Sequence, residues 1–226
     1  MSLILCIETS TEICSVALAY NGKTISLVQI ETANAHASQL HLLVQQVLNK
    51  SGYAFKNLTA VCICKGPGSY TGLRVGVSAA KGYCYALNLP LIAIDSLSSL
   101  ANHYLQNKSQ LQDFLVVPMI DARRMEVYTA IFDKQLNMLE PITANIIEAG
   151  SFGILLNDHK LFFFGNGALK CKPILTHSNA VFIENITCSA AGLSMPAHQA
   201  YLNSHFENLA YFEPFYLKNF TGIKAK

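Results

Sequence analysis

The stretch LILCIETSTEICSVALAYNGKTISLVQI, residues 3–30, decides the fold. It holds two runs rich in strand-forming residues, separated by the polar tetrapeptide Glu-Thr-Ser-Thr at 8–11. A third run follows Asn21-Gly22, and Asn-Gly between two such runs is the strongest short signal for a β-hairpin. The stretch therefore predicts three consecutive antiparallel strands, near 2–8, 13–20 and 23–30.

The next segments predict alternating helices and strands. Apolar residues recur at helical spacing from Leu40 to Leu48 and predict a helix near 36–50, which Gly52 ends. The strand AVCIC (60–64), a helix near 72–87 and the strand LIAI (91–94) follow. Three strands, helix, strand, helix and strand is the order of the ribonuclease-H-like unit. Two such units form the fold of actin, Hsp70 and the sugar kinases, called the ASKHA fold.

A second copy of the unit is recognisable in weaker form. LVVPMIDARRMEVYTAIFD (115–133) repeats the shape of LILCIETSTEICSVALAYN (3–21), and Asp121 aligns with Glu8. KLFFFG (160–165) predicts a buried strand, and the segment from 189 to 206 a helical stretch broken near Pro196. We therefore predict an α/β protein with ribonuclease-H-like subdomains at 1–105 and 106–226, the second one reduced.

The composition limits the classes of function. Charged residues make up 13% of the chain and the net charge is +2, without the basic stripe typical of proteins that hold nucleic acid alone. So few charges favour a chain that buries surface against another subunit. No apolar run approaches the ~18 residues of a membrane helix, and the N-terminus lacks a basic lead. Seven cysteines without a CxxC pair indicate reduced thiols, so we expect a cytoplasmic protein.

Two turns carry the acidic and hydroxyl groups that could hold a nucleotide. In nucleotide-binding proteins of this fold, the turn after the first strand carries an Asp among small residues; here it reads Glu8-Thr9-Ser10-Thr11. A carboxylate there can hold Mg²⁺ through water, and hydroxyls can donate to phosphate. The equivalent second turn begins at Asp121. Neither turn contains a glycine, which makes both poor phosphate loops.

The glycine-rich stretch KGPGSYTGLRVGV (65–77) invites comparison with phosphate cradles. Its spacing fails the Walker pattern, and it fails the dinucleotide pattern G-x-G-x-x-G by one residue. Ser69 or Thr71 is suited to cap the following helix, and Arg74 falls in its first turn. The pattern leaves two interpretations, an anion site and a tight turn with a cap.

The histidines do not form a metal site by spacing. His36 and His41 are separated by about 140° around a helix, so they cannot bind one metal from one face. The H-x-x-x-H pattern and the G-x-S-x-G nucleophile elbow are both missing from the sequence. The chain is therefore poorly equipped as an enzyme, and we predict neither a catalytic nor a metal-binding residue.

The string GPGSYTGLRVG resembles the signature of the TsaB family, also called YeaZ. ILCIETSTEICSVAL, HASQLHLLVQQVL, VPMIDARRMEVYTAIFD, FGNGA and EPFYL resemble other segments of that family. Glu8 stands where Asp is commoner in the family. The resemblance marks as motif residues Gly66, Pro67, Gly68, Ser69, Tyr70, Thr71, Gly72, Arg74 and Gly76.

The resemblance implies a non-catalytic paralogue of TsaD, the subunit that makes threonylcarbamoyladenosine (t6A) at position 37 of tRNA. It implies a TsaD-like partner, a TsaE-like ATPase, a homodimer when the chain is alone, contact with tRNA only through the complex, and no cofactor. Family members use the two N-terminal helices as a four-helix contact. The candidate interface residues are Leu40, Leu43, Val47, Gly76, Ala79, Ala80 and Tyr83.

Three alternatives remain open from the residues. The first is a small ASKHA-type kinase or ATPase that binds Mg-ATP through Glu8, Asp121 and the 66–72 turn. A peptidase is the second, which the missing H-x-x-x-H pattern disfavours. The third is a free-standing tRNA-binding module, which the low net charge disfavours.

Overall fold

The structure, a computed structural model, describes residues 1–31, 36–106 and 114–218. Two five-stranded sheets contain all the strands of these segments. The first sheet has the order β3-β2-β1-β4-β5, formed by β1 (Leu3–Glu8), β2 (Ile13–Tyr20), β3 (Lys23–Glu31), β4 (Ala60–Cys64) and β5 (Leu91–Ile94). The second has the order β10-β9-β6-β7-β8, formed by β6 (Phe114–Asp121), β7 (Glu126–Phe132), β8 (Met138–Ile146), β9 (Lys160–Phe164) and β10 (Ala180–Phe182).

The two sheets have the same topology, which confirms the predicted fold class. In each sheet the first strand pairs antiparallel with the second and parallel with the fourth, and the fifth lies parallel to the fourth. The second copy is reduced, because a 3-10 turn at Leu169–Cys171 is the only helical element between β9 and β10 in the described chain. The subdomain boundary at 105/106 stays a prediction, since residues 107–113 lie outside the described residues.

The helices divide the molecule into layers. They are α1 (His36–Ser51), α2 (Tyr70–Leu87), α3 (Ser96–Leu105), α4 (Gly153–Asp158) and α5 (Ser194–Leu202). Helices α1 and α2 cover one face of the first sheet, and α5 with the 3-10 turn Ala190–Leu193 covers the other. Helix α3 packs on the second sheet, where Tyr104 stacks on Phe164 with ring centroids 4.5 Å apart.

The chain returns to the first sheet after completing the second. The Ala190 backbone N–H donates to Ser15 Oγ at 2.8 Å, and the hydroxyls of Thr24 and Ser194 are 2.7 Å apart. The helical stretch predicted to break near Pro196 is divided at Leu193/Ser194, where the 3-10 turn ends and α5 begins. Pro196 is the third residue of α5, in the first turn, where its missing N–H leaves no hydrogen bond unmade.

The buried side chains agree with the predicted chemistry of the interior. All seven cysteines are buried and free, as expected for reduced thiols. None of the described helices combines the length and the apolar character needed to cross a bilayer.

A close backbone contact fixes where α2 begins. Ser69 is the N-cap, and its backbone N–H donates to the Ser10 carbonyl at 2.7 Å. A Cβ atom added at Gly68 would lie 2.2 Å from the Ser10 carbonyl oxygen, and one added at Gly72 would lie 2.1 Å from that of Thr9. Only glycine allows the helix to approach the turn after β1 so closely.

Replacing Gly72 with alanine should lower the free energy of unfolding by roughly 1–3 kcal/mol, because the added methyl overlaps a backbone carbonyl. The matched control is Gly82→Ala in the same helix, since a Cβ there meets nothing within 4 Å. That substitution should raise stability by about 0.5–1 kcal/mol through helix propensity. Urea unfolding measures both variants, and equal stability of the two would contradict the proposed contact.

Candidate functional site

The turn after β1 is buried by other parts of the same chain. Glu8, Thr9 and Ser10 are at most 1% exposed. One carboxylate oxygen of Glu8, Oε1, accepts a hydrogen bond from the Ser10 backbone N–H at 2.7 Å. Glu8 Oε2, Thr9 Oγ1 and Ser10 Oγ have no hydrogen-bond partner among the described residues. The acidic turn predicted from the sequence is therefore an interior feature that does not face solvent.

Burial governs the electrostatics of this turn. Desolvation raises the pKa of the Glu8 carboxyl above its ordinary value of 4.5, and the hydrogen bond from the Ser10 N–H opposes this only partly. Burial, followed by the negative charge of Glu8, raises the thiol pKa values of Cys64 and Cys188. The same two causes raise the pKa of Cys14 to about 11. These thiols stay protonated at neutral pH, so they are not suited to be nucleophiles.

The turn does not fit a magnesium–nucleotide complex. A magnesium ligand must reach a hydrated ion, whereas the Glu8 side chain is completely buried. A phosphate site needs N–H donors beside its glycines, whereas the Ser10 carbonyl, an acceptor, lies against Gly68. The arrangement matches a packed turn with a capped helix.

The equivalent turn of the second half is exposed and ion-paired. Lys170 forms a salt bridge with the Asp121 carboxylate. Asn166 Oδ1 accepts a hydrogen bond from the Asp121 N–H at 3.0 Å, and Asn166 Nδ2 lies 3.3 Å from Glu12 Oε2. Asp121 and Glu8 thus end equivalent strands, but one is paired at the surface and the other is buried. Asn166 links the two turns through Asp121 and Glu12, but the Asp121 and Glu8 carboxylates have no partner in common among the described residues.

The C-terminal segment lies across the glycine motif and α2. The Phe215 N–H donates to the Lys65 carbonyl at 2.7 Å, next to Gly66. Lys81 Nζ donates to the carbonyls of Ala210 and Phe212 at 3.2 and 3.1 Å. The sequence marked EPFYL (213–217) only as a resemblance, and no local pattern indicated this contact between distant segments.

The same segment engages two side chains of the motif. The Tyr216 ring lies 4.9 Å from that of Tyr70, and Arg74 Nε donates to the Tyr216 hydroxyl at 3.2 Å. The Arg74 guanidinium lies 4.2 Å from the centre of the Tyr70 ring. In this structure Arg74 therefore binds the C-terminal segment. Of the remaining motif residues, the Pro67 carbonyl accepts from the Ser96 hydroxyl at 2.6 Å, and Thr71 is exposed.

Most of the candidate interface residues are packed inside the chain's own core. Five of them lie under α1 and α2 against the first sheet: Leu40, Leu43, Val47, Gly76 and Ala80. Ala79 and Tyr83 are half-buried and reach the surface. A partner that docks on these helices would therefore meet Ala79, Tyr83 and their exposed neighbours.

Tyr83 contacts two aromatic side chains, and α1 carries an exposed leucine. The Tyr83 hydroxyl lies 2.6 Å from His41 Nδ1, and its ring stacks on Phe55 with centroids 5.6 Å apart. Leu42 on α1 is 51% exposed. We call His41, Leu42, Phe55, Ala79 and Tyr83 the helix-face patch. Sequence reasoning missed His41, Leu42 and Phe55, because only the buried stripe of α1 follows a clear helical period.

The described residues contain no group of three His, Cys, Asp or Glu side chains placed to hold a metal ion. His36 Nε2 is 2.9 Å from the Thr11 carbonyl oxygen, whereas His41 contacts Tyr83. The two histidines thus have different partners in the structure.

The chain matches known proteins over most of its length. Residues 26–218 match the family model described as TsaD, tRNA N6-adenosine threonylcarbamoyltransferase. The tRNA threonylcarbamoyladenosine biosynthesis protein TsaB of Haemophilus influenzae is 28% identical, over 96% of this chain and 93% of that protein. The protein of the same name in Bacillus subtilis is 31% identical, over 72% of this chain and 70% of that protein.

A crystal structure from Pseudomonas aeruginosa, described as an uncharacterized protein with similarity to peptidase YEAZ, has the same fold. It superposes with a TM-score of 0.83 at 26% identity, and the match covers 96% of this chain and all of that one. The sequence and structure matches agree with the glycine motif, and the chain belongs to the TsaB (YeaZ) family.

Proposed function

We propose that this chain is the non-catalytic partner subunit of the enzyme that forms t6A at position 37 of tRNA. The observation that carries the proposal is the closed turn after β1. The chain matches a threonylcarbamoyltransferase family model over residues 26–218, yet the carboxylate of this turn is buried under its own backbone. A protein that keeps the family fold but fills the nucleotide turn is suited to act through contact.

The proposed partners follow from relatives that are named as t6A biosynthesis proteins. The chain binds a TsaD-type catalytic subunit in the cytoplasm, and a TsaE-type ATPase joins them. tRNA is bound only by the assembled complex. Alone, the chain forms a homodimer through the surface that otherwise binds TsaD. Its contribution is architectural or allosteric, because docking orders the catalytic subunit's site without supplying a reacting group.

The helix-face patch is the proposed docking surface. It offers rings and aliphatic groups on the outer side of α1 and α2, and exposed apolar surface of this kind favours a protein partner. Tyrosine is enriched among the residues that dominate interface energies. Ala79 lets a second helix approach closely beside Tyr83.

Ala79→Glu should weaken binding to the TsaD-type subunit by more than about 30-fold, since an unpaired carboxylate buried at an interface costs about 2–5 kcal/mol. The matched control is Ser78→Glu, an equally charged change at an exposed position of α2 on a different side of the helix. Both variants should keep the unfolding midpoint of the unsubstituted chain. Co-elution measures formation of the complex with the TsaD-type subunit. The molecular mass of the chain alone in solution shows whether it forms a homodimer. Normal TsaD binding by Ala79→Glu would remove the patch from the proposal.

Glu8→Gln separates this function from the kinase alternative. If Glu8 held Mg-ATP, the variant would lose activity; we expect full t6A formation in a reconstituted system. Because the folded-state pKa is raised, Glu8 contributes most stability below the unfolded pKa near 4.5. That contribution is lost as the pH rises through the folded pKa. Gln cannot titrate, so the variant should lose less stability than the unsubstituted chain as the pH rises above 4.5, as urea midpoints would show. Loss of t6A formation with intact folding would support the kinase alternative.

A further inference from the structure

The turn between β6 and β7 holds two successive arginines in a backbone conformation that arginine rarely adopts. Arg123 and Arg124 have φ angles of 73° and 50°. Glycine and asparagine enter this left-handed region most readily. The β2–β3 hairpin follows that preference, with Asn21 at 46° and Gly22 at 80°. The β6–β7 turn uses arginine at both positions and so gives up stability.

Nearby groups hold this turn firmly. The Arg123 N–H donates to Asp121 Oδ1 at 2.9 Å. Lys170 Nζ donates to the carbonyls of Arg124 and Glu126, each at 2.7 Å. Lys170 reaches across from the segment that follows β9, so the strained backbone is tied to a second part of the sheet. The two arginine side chains therefore project from a fixed base.

The Asp121 and Glu126 carboxylates beside the turn are paired with lysines and not with its arginines. The nearby carboxylates are already occupied, because Asp121 pairs with Lys170 and Glu126 pairs with Lys218. Arg123 and Arg124 are exposed and have no ion-pair partner among the described residues. An unpaired guanidinium binds an oxyanion through two parallel N–H donors, and phosphate fits this geometry well.

Aromatic side chains accompany these cations. Tyr128 on β7 is half-buried within the electrostatic reach of Arg123 and Lys218. Lys218, which pairs with Glu126, follows Tyr216, whose ring is tilted against that of Tyr70 beside Arg74. Cations next to tyrosine rings suit a ligand with phosphates and flat bases more than an acidic peptide.

We propose that the Arg123-Arg124 turn contacts the phosphate backbone of RNA in the assembled complex. The inference rests on the proposed function, because the RNA is the tRNA that the complex modifies. The turn adds a contact without making the chain an RNA-binding protein alone, in keeping with a net charge of only +2. RNA contact then explains why arginine occupies two left-handed positions at a cost in stability.

The test compares Arg123→Asn/Arg124→Gly, which copies the Asn-Gly pair at 21–22, with the unsubstituted chain. Each is assembled with the TsaD-type subunit, and labelled unmodified tRNA is titrated by fluorescence anisotropy at several salt concentrations. We expect roughly tenfold weaker binding and a salt slope smaller by about 0.7–0.9 for each lost phosphate contact. The unfolding temperature of the variant should rise by about 2–4 °C as the strain is relieved.

A charge-matched control is available at the opposite end of the second sheet. Lys160 pairs with Phe114 at the start of β6, and Lys134 follows the end of β7. Lys134→Ala/Lys160→Ala removes the same charge and should leave the salt slope unchanged. Equal slopes for all three proteins would overturn the proposal, as would an equal loss in the control.

Separate measurements test the RNA contact of the arginine turn and the proposed function of the chain. Complex formation by the unsubstituted chain tests the function, whereas the tRNA titration tests the turn. If the arginine variant no longer joined the TsaD-type subunit, the proposal would be overturned and the guanidinium groups assigned to an acidic protein surface.

Discussion

The close approach of two backbone segments, 8–10 and 68–72, is the constraint on which the rest of the molecule depends. The carbonyls of Thr9 and Ser10 occupy the space where side chains at Gly72 and Gly68 would lie. This contact seats the start of α2, buries the acidic turn and leaves acceptors where a phosphate would need donors. Because α2 packs beside α1 on the sheet, the same contact also sets the position of the helix-face patch.

Both halves of the molecule contain a glycine packed closely against a backbone carbonyl, with different consequences. In the second half a Cβ atom at Gly165 would lie 2.2 Å from the Met119 carbonyl oxygen, so a glycine again closes against the first strand. There the acidic residue stays exposed and pairs with Lys170, whereas Glu8 is enclosed without a cation. Glu8 still has a structural role, because its carboxyl satisfies the buried Ser10 N–H, which an apolar residue would leave without a partner.

The sequence predicted the parts of the fold that local patterns encode. The strand-forming runs, the Asn21-Gly22 turn and the stripe from Leu40 to Leu48 predicted β1 to β5, α1 and α2 to within about two residues, whereas α3 was not predicted. The return of α5 to the first sheet and the contact of Tyr216 with Arg74 join distant segments, so no local period reveals them. The site was harder to predict for the same reason, because the sequence of a polar turn does not indicate whether the folded chain buries it. Small residues such as Ala79 and Ala80 likewise give no indication of which one faces the core.

The helix-face patch and the Arg123-Arg124 turn belong to different sheets of the molecule. Helices α1 and α2 cover the face of the first sheet that points away from α5 and from the second half. The Arg123-Arg124 turn lies at the end of β6 in the second sheet. The segment 216–218 connects the two parts, because Tyr216 contacts Tyr70 and Arg74 of α2 while Lys218 pairs with Glu126 beside the arginine turn. The filled turn after β1 ties the start of α2 to the first sheet, because the Ser69 N–H donates to the Ser10 carbonyl and Gly72 packs on that of Thr9.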